Sequence, residues 1–502
     1  MKFLKQINWI GAGFIVVGVG LSILNFMNFR SLWLDEAMLA LNIVNKSAME
    51  LLQPLDYNQV APIGFLLMEK CFATLFGNAD WSLRIFPLIS FFLAVFLIFS
   101  ITNKILQSKL VAVYTTAFFA TTFIVLSYST EVKQYITDIA FALLILKASI
   151  TYNDNGFKNK WWIYAIIGAV SIWFSNVAIL LLFSGGIYSI YKTHYTFEKK
   201  YLRLGIVLGC WMISFLVYFS LFIYNHPTKS GMVDFWQEAG AFLPKDIFNF
   251  DFYETLFFKI GLLFKFSGYS SFSLVLLPIF LMGLYYLGKN KRGMLFLLNF
   301  PLILHLCLSY FKLYPFDKRL VLYLYPFLLI VIFSGFYYIN TIAKVNNQKW
   351  LYILPLLLVT NMVLLFRSGF PVEKEEINES LSYMDSKYRK GDDLYVYYGA
   401  SHAFEFYKKS FNFFSVIDSS DVVFSFDNRN NWSDYKLPVM NMNNSVWIIF
   451  SHVYWIKNAD GLTEDEFILN IFKKNGYQII DEQKYFGSSI HHAIKTIPSR
   501  NL

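Results

Sequence analysis

The stretch that decides the fold is WIGAGFIVVGVGLSILNFMNFRSLWLDE, residues 9–36. Its first part, Trp9–Met27, is apolar and long enough to cross a bilayer. Two adjacent carboxylates, Asp35 and Glu36, follow shortly after this run. There they lie outside the hydrocarbon, where a carboxylate can take a proton from a hydroxyl group or hold a metal ion. Acidic residues also favour the first turn of a surface helix, so the pair alone leaves a purely structural role open.

The rest of the chain has the composition of a polytopic membrane protein. Of its 502 residues, 56% are hydrophobic and only 15% are charged, and the mean hydropathy is +0.46. A soluble domain cannot bury that much apolar surface. The net charge of +9 does not indicate a nucleic-acid partner, because the Lys and Arg residues cluster in short loops between apolar runs. The three cysteines have neither CxxC nor metal-ligand spacing.

About eleven apolar runs predict membrane-spanning helices. They are Trp9–Met27, Leu83–Thr102, Leu110–Ser127, Tyr135–Ser149, Trp161–Phe174, Val177–Tyr191, Leu204–Tyr224, Ser271–Leu287, Met294–Tyr310, Leu320–Ile339 and Trp350–Phe366. The division at Phe174–Val177 matters most, because merging the two helices that flank it would reverse the topology of every later segment.

The loops between these runs alternate in charge. Lys and Arg dominate loops 103–109, 151–160, 192–203, 288–293 and 343–349, whose only acids are Asp154 and Glu198. The positive-inside rule makes these loops cytoplasmic and places Asp35, Glu36 and the C-terminal region on the opposite side. The sequence therefore predicts a multi-pass protein of the cytoplasmic membrane with an extracytoplasmic C-terminal domain.

The composition becomes that of a soluble α/β domain after Arg367. We predict a transmembrane domain over residues 1–369 and an extracytoplasmic α/β domain over residues 370–502. In the second domain the patterns predict strands at Leu394–Tyr398, Phe411–Ile417 and Val446–Phe450 and helices at Ile377–Tyr388, Ala403–Lys409 and Glu464–Asn475. In the first outer loop, Glu36–Leu52 and Ile63–Phe76 are predicted as amphipathic helices along the membrane face.

Several short motifs give the chain a resemblance to a known family. They are Trp33-Leu34-Asp35-Glu36, Ala61-Pro62, WSLRIFP at 81–87, STEVKQY at 129–135 and KRLVLYLYP at 318–326. In this order and with this topology, the chain resembles the GT-C superfamily of integral membrane glycosyltransferases. The similarity is to the branch of protein mannosyltransferases and lipid A aminoarabinose transferases, and it covers the predicted transmembrane domain.

The resemblance implies that a sugar is transferred from a polyprenyl-phosphate carrier to an acceptor bound at the outer face. In such enzymes an acid of the first outer loop is the catalytic base; it corresponds to Asp35, and Glu36 matches the second acid of the motif. The chain departs from the family before Pro62, where it has Val60 and Ala61 and lacks the His that members often carry.

Displacing a lipid phosphate from a sugar also requires cations for the leaving phosphate. The outer-face candidates are Arg84, Lys133, Lys318 and Arg319. These cations also have explanations that involve no catalytic role. A cation at a helix end can extend its charge to the lipid headgroups, and Lys133 can form a surface ion pair with Glu131. Candidates for an acceptor contact or an auxiliary role are Glu131 and Tyr323.

The expected partners are the polyprenyl-phosphate donor, membrane lipids and an acceptor that is a lipid, a glycan or a protein, with no nucleic acid. The sequence leaves the sugar and the need for a divalent metal ion open. The main alternative function is a transporter or a flippase of lipid-linked sugars, for which inverted repeats and charges at the membrane midplane are typical. The chain shows no repeat, and its charges lie at the outer boundary. A polymerase or ligase of surface polysaccharides would rely on Arg and His of a large loop rather than on an acid pair.

Overall fold

The computed structural model describes residues 2–155, 160–193, 198–224, 227, 229–266, 270–342, 353–426, 431–440, 442–454, 456–458 and 460–496. The chain forms two compact units. The helical unit comprises residues 1–27 and 48–371, and the sheet unit comprises residues 28–47 and 372–502. The segment after the first helix, which carries the acid pair, therefore belongs to the same unit as the C-terminal α/β region.

The first 371 residues form a succession of α-helices. In chain order these are α1 (Lys2–Met27), α2 (Leu34–Asn45), α3 (Ile63–Phe76), α4 (Ile85–Leu106), α5 (Lys109–Ala120), α6 (Phe123–Tyr128), α7 (Tyr135–Asn155), α8 (Trp162–Phe174), α9 (Ala178–Thr193), α10 (Glu198–Tyr218), α11 (Lys229–Glu238), α12 (Phe250–Lys265), α13 (Ser270–Asn290), α14 (Arg292–Tyr310), α15 (Tyr325–Ile342) and α16 (Ile353–Arg367). Helix α2 belongs to the sheet unit, and the others form the helical unit.

The predicted membrane-spanning fold is confirmed. In the described part of the chain, six segments are long and apolar enough to cross a bilayer: Asn8–Met27, Ser82–Leu106, Tyr135–Asp154, Tyr201–Ile223, Arg292–Tyr310 and Lys318–Ile342. Four further predicted spans correspond to the shorter apolar helices α5, α8, α9 and α16, and the remaining one to α13, which has 21 residues. The division between α8 and α9 is confirmed, because Ser175 between them has an extended backbone. Trp350, the predicted start of the last span, lies outside the described residues.

The predicted single helix Leu110–Ser127 is wrong, because α5 and α6 are separate helices. The break falls on Thr121 and Thr122. Their hydroxyl groups donate to the carbonyl oxygens of Ala117 and Phe118, at 2.8 and 2.7 Å. Such bonds from a Thr side chain to the preceding turn offer the backbone an alternative to the regular ladder and bend helices.

The loops that were predicted to be extracytoplasmic contain more helix than their sequence indicates. The prediction of Ile63–Phe76 is confirmed by α3, whereas the predicted helix Glu36–Leu52 is too long. Helix α2 ends at Asn45, and a separate 3-10 turn follows at Glu50–Leu52. Helices α11 and α12 lie in the loop between the predicted spans Leu204–Tyr224 and Ser271–Leu287 and were not predicted.

The sheet unit confirms the predicted α/β class. In its described residues the sheet has strands β1 (Asp393–Val396), β2 (Val422–Phe424), β3 (Ser445–Ser451), β4 (Tyr477–Tyr485) and β5 (Ser488–Lys495), in the order β2-β1-β3-β5-β4. Strand β1 is parallel to β2 and β3, whereas β5 is antiparallel to β3 and β4. Helices α17 (Ile377–Lys387), α18 (Ser401–Tyr407), α19 (Lys436–Met440) and α20 (Glu464–Lys474) complete the unit. Its core includes the buried Tyr395, Ile448, Phe450, Ile468 and Phe472.

The predicted strand Phe411–Ile417 is wrong. Asn412–Ser415 form a 3-10 turn instead. The carboxylate of Asp385 accepts hydrogen bonds from the backbone N–H of Phe413 at 2.6 Å and from the side chain of Asn412 at 3.1 Å. These local bonds satisfy groups that a strand would offer to its neighbours.

Candidate active site

The acid pair lies in the first turn of α2, where its two carboxylates have different surroundings. Glu36 is fully buried, and it accepts two hydrogen bonds from Arg30, from Nη1 to Oε2 at 2.6 Å and from Nη2 to Oε1 at 3.1 Å. This bidentate geometry fixes both side chains. Asp35 is only half-buried. Of the two carboxylates, Asp35 is therefore the one with access to a substrate.

The N-terminus of α2 is capped by a residue distant in sequence. The helix begins after Trp33, and an indole has no acceptor oxygen for the unsatisfied N–H groups of the first turn. The backbone N–H of Leu34 donates instead to Glu375 Oε2 at 3.0 Å. The other oxygen of this carboxylate, Oε1, lies 2.5 Å from His452 Nδ1. A negative charge at this position also complements the helix dipole.

The residues before α2 are bound to the sheet unit in the same way. The N–H of Ser31 donates to Glu376 Oε2 at 3.0 Å, and the N–H of Leu32 donates to the hydroxyl oxygen of Tyr407 at 2.9 Å. Burial raises the pKa of Glu376, against the effect of the N–H and hydroxyl of Ser31. The ammonium group of Lys374 lies 4.4 Å from the centre of the Trp33 ring.

These contacts lie at the carboxyl ends of the parallel strands. His452 directly follows β3, and its ring lies 6.3 Å from that of Trp33 and 4.9 Å from that of Tyr454. In open α/β sheets this edge is where ligands usually bind. In the sheet unit, part of the edge is instead occupied by the segment that leads into α2.

In the helical unit, the structure places Arg319 beside the residue that begins α7. The guanidinium carbon of Arg319 lies 5.7 Å from the ring centre of Tyr135, the first residue of α7. Lys133, two residues earlier, is buried, and its Nζ donates to Gln59 Oε1 at 2.7 Å. Lys318, the neighbour of Arg319 in the 3-10 helix Lys318–Leu324, is exposed. Arg319 thus lies next to the segment that bears Lys133.

Arg84 lies at the same end of the helix pair α4 and α7 as Lys133. The two helices are in contact through the hydroxyl groups of Ser90 and Thr137, 3.1 Å apart, and both helices begin at this end. Arg84 is 1% exposed. A lysine or arginine that extends to the lipid headgroups keeps its charged end in water, so burial is inconsistent with that interpretation for Arg84.

Glu131 and Tyr323 are both buried. The burial of Glu131 and Lys133 is inconsistent with a surface ion pair between them. The hydroxyl group of Tyr323 lies 3.1 Å from Nδ1 of His305, whose Nε2 lies 3.0 Å from the carbonyl oxygen of Pro315. Tyr323 therefore belongs to a buried network that fixes the backbone just before Lys318 and Arg319.

Lys259 of α12 binds the same backbone segment. Its Nζ donates to the carbonyl oxygens of Phe316 and Gly240, both at 3.0 Å. Burial lowers the pKa of Lys259 to about 8, and the negative charge of Asp317 partly opposes this shift. The Arg319 segment is thus attached to α12 through a buried ammonium group and to α14 through a buried imidazole.

Two buried acids were missed by the sequence analysis. Asp138, in the first turn of α7, accepts a hydrogen bond from the hydroxyl group of Ser175 at 2.6 Å. Glu69 of α3 is fully buried, and burial raises its pKa well above its usual range. Within the described atoms neither carboxylate oxygen of Glu69 has a hydrogen-bond partner. An ionisable residue inside an apolar run is itself a signal for function, and it could have identified both.

No group of three or more His, Cys, Asp or Glu side chains in the described residues has an arrangement that could hold a metal ion. The chemistry that the described side chains themselves offer is that of a carboxylate base and of cations for an anion.

The chain is similar to known proteins both in a part of its sequence and in its fold. The family model of dolichyl-phosphate-mannose-protein mannosyltransferases matches residues 60–219, a range that includes Arg84 and Lys133 but neither Asp35 nor Arg319. No curated protein matches the chain by sequence. The chain is similar to the crystal structure of ArnT from Cupriavidus metallidurans bound to undecaprenyl phosphate, with a TM-score of 0.54 and 12% identity over 96% of this chain and 98% of that chain.

The apo state of the same ArnT matches with a TM-score of 0.52 and 13% identity, at the same coverage. ArnT is a lipid A aminoarabinose transferase of the GT-C type. The predicted resemblance to this branch and the GT-C fold are therefore confirmed. The structural match also extends over the C-terminal α/β region, which the sequence motifs did not reach.

Proposed function

We propose that this protein is a GT-C membrane glycosyltransferase, which transfers a sugar from a polyprenyl-phosphate donor to an acceptor at the outer face of the cytoplasmic membrane. The observation that carries the proposal is the match of 96% of the chain to a transferase whose structure holds undecaprenyl phosphate. The family model supports the same reaction class. At 12% identity the match establishes the fold, so the roles of individual residues are argued from their own geometry.

Asp35 is the proposed general base. Its carboxylate takes the proton of the acceptor hydroxyl, and the hydroxyl oxygen forms a bond to the anomeric carbon of the sugar. The bond from that carbon to the phosphate oxygen breaks, and polyprenyl phosphate leaves with the bonding electrons. The half-buried position of Asp35 in the first turn of α2 suits this role. The buried Glu36, with Arg30, fixes the helix that bears the base.

Arg319 and Lys133 are the proposed ligands of the donor phosphate, with Arg84 and Lys318 as further cations. Negative charge increases on the phosphate as the bond to the sugar breaks, and fixed cations stabilise that change. The planar guanidinium of Arg319 can bind two phosphate oxygens at once, and the Tyr135 ring orients it. Glu131 and Tyr323 act as auxiliary groups that position these cations from inside the helical unit.

The direct test is to incubate purified protein with radiolabelled polyprenyl-phosphate sugars and a membrane extract. Transfer of label to a lipid, a glycan or a protein supports the proposal and identifies the acceptor, and Asp35→Asn is the inactive control. Label that crosses a liposome bilayer while it stays on its carrier would instead support the transporter or flippase.

The proposed membrane orientation has a separate test. After replacement of the three native cysteines, which are exposed, single cysteines are introduced at the exposed positions Ser47, Ser386 and Lys289. We expect an impermeant thiol reagent added outside to label Ser47→Cys and Ser386→Cys but not Lys289→Cys, because Lys289 lies in a predicted cytoplasmic loop. Labelling of all three from one side would contradict the orientation.

A further inference from the structure

We propose that Glu375, paired with His452, is a positioning residue of the transfer reaction: it caps α2 and thereby sets the position of Asp35. This inference rests on the proposed function insofar as it takes Asp35 as the base. It assigns the C-terminal α/β region a part in the chemistry rather than a separate task.

The first argument is the origin of the cap. Helices are usually capped by a Ser, Thr, Asp or Asn immediately before the first turn. Trp33 holds that position and offers no acceptor, so the N–H of Leu34 depends on Glu375, which is 341 residues away in sequence. The start of α2 is therefore set by the tertiary structure, and Asp35 is the next residue.

The second argument is the number of hydrogen bonds from backbone N–H groups near the start of α2 to side chains of the C-terminal region. The backbone N–H groups of Ser31, Leu32 and Leu34 donate to side chains of Glu376, Tyr407 and Glu375. The hydroxyl group of Ser31 in turn accepts the N–H of Asn378 at 3.1 Å. This set of bonds fixes the chain along the whole segment before the base. A cap alone would fix only the first turn.

The third argument is the geometry of His452. Its backbone has a φ of 55°, in the left-handed region that non-glycine residues seldom adopt. Such conformations persist where the surroundings determine them, and they cluster at functional sites. In this conformation the His452 ring contacts Glu375 Oε1 through Nδ1 and packs edge-on against Tyr454. His452 thus orients Glu375 so that Oε2 reaches Leu34.

The test compares three variants of the full-length protein. Glu375→Ala removes the cap, and Glu375→Gln keeps an acceptor oxygen while removing the charge. Glu373→Ala is the matched control, because Glu373 is an exposed acid two residues away. Hydrogen exchange of peptides from α2 reports the cap directly. The kcat of transfer and the affinity for undecaprenyl phosphate are measured separately.

For Glu375→Ala we expect amide exchange in α2 to rise about 5–30-fold, as for loss of a helix cap. The kcat should fall about 10–100-fold, because small displacements of a catalytic group have effects of that size. The affinity for undecaprenyl phosphate should stay within about twofold of wild type, since the proposed phosphate ligands lie in the helical unit. Glu375→Gln should recover part of both losses, and Glu373→Ala should match wild type.

Unchanged exchange and unchanged kcat in Glu375→Ala would overturn the inference, even if Asp35→Asn is inactive. A parallel loss of kcat, lipid affinity and thermal stability would also overturn it, because that pattern reports general destabilisation. If Asp35→Asn retains its turnover, the proposed base is wrong. A faster α2 exchange in Glu375→Ala would then still establish the cap, so the two failures are distinguishable.

Discussion

The proposed base belongs to the sheet unit and the proposed phosphate ligands belong to the helical unit, and each unit fixes its own residues by different chemistry. In the sheet unit, carboxylates of Glu375 and Glu376 bind backbone N–H groups around α2. In the helical unit, the backbone before Arg319 is bound through its carbonyl oxygens, by the ammonium group of Lys259 and the ring of His305. Negative side chains thus position the base, and buried basic side chains position the phosphate ligand. Variants on each side should therefore affect different steps of the reaction.

The largest effect is expected from Asp35→Asn. The change keeps the size of the side chain but removes its basicity, so turnover should fall by about 10²–10⁴-fold. Binding of undecaprenyl phosphate and thermal stability should remain near wild type. Single-turnover transfer assays and melting curves would check this. Near-normal turnover would show that Asp35 is not the base, and the buried acids Glu131 and Asp138 of the helical unit would become the candidates.

Glu36→Gln tests whether adjacent acids have opposite roles. The change removes the charge of the carboxylate that pairs with the buried guanidinium of Arg30, and breaking such a buried pair typically destabilises a protein by about 3–5 kcal/mol. We expect a clear loss of thermal stability, whereas Asp35→Asn should retain it. The double variant Arg30→Met with Glu36→Leu should recover part of the stability, since neither member of the pair is then left without the other. Equal melting temperatures for Glu36→Gln and wild type would contradict a structural role of the pair.

Substitutions of Arg319 test the phosphate ligands proposed in the helical unit. Arg319→Lys keeps the charge but loses the planar fork, so affinity for undecaprenyl phosphate should fall about 10-fold, and Arg319→Ala should reduce it further. Arg292→Ala, at the opposite end of α14 from the loop that precedes Arg319, is the control and should bind like wild type. Lipid titration of the purified variants gives the affinities. Equal affinity in all of them would leave Arg84 and Lys133 as the phosphate ligands.

Lys259→Met tests the attachment of the Arg319 segment. The change removes the hydrogen bonds to the carbonyl oxygens of Gly240 and Phe316, and leaving such groups buried and unsatisfied costs about 1–3 kcal/mol. We expect lower stability and a weaker affinity for undecaprenyl phosphate, without faster hydrogen exchange in α2. Lys265→Met, an exposed lysine on the same helix, should change neither quantity. Faster exchange in α2 would show that α2 and the segment before Arg319 are not fixed independently.

The smallest expected effect concerns acid stability of the sheet unit. Burial lowers the pKa of His491, although the negative charge of Glu482 opposes the shift. A depressed pKa means that the neutral form stabilises the fold above the unfolded pKa of about 6.5, and that this stability is lost as the pH falls through the folded value. The protection factors of amides in β3–β5, which compare the observed exchange with that of an unfolded chain at the same pH, should therefore fall on acidification from about pH 7.5 to 5. His491→Gln should reduce this dependence by about 1 kcal/mol or less. Burial also lowers the pKa values of His402 and His492, so part of the dependence should remain.

Hydropathy and charge in the sequence by themselves determined the membrane class, most span positions and the α/β class of the C-terminal region. These properties follow from local composition, because a bilayer selects apolar helices of a fixed length. Predictions from the hydrophobic pattern failed where side-chain hydrogen bonds to the backbone interrupt a helix or a strand. The hydroxyl groups of Thr121 and Thr122 divide a continuous apolar run, and Asp385 converts a strand-like segment into a 3-10 turn.

The sequence also identified Asp35 and the cations as chemically suitable groups, because their residue types and boundary positions can be read directly. Only the tertiary structure decided their surroundings. It paired Glu36 with Arg30, joined α2 to Glu375, bound Lys133 to Gln59 and placed Arg319 beside Tyr135. Most of these contacts join residues from distant segments. Such residues have no characteristic spacing in the chain, so the sequence pattern cannot predict their contacts. Residue types therefore reveal which groups can react, whereas folding decides which of them are buried, paired and positioned.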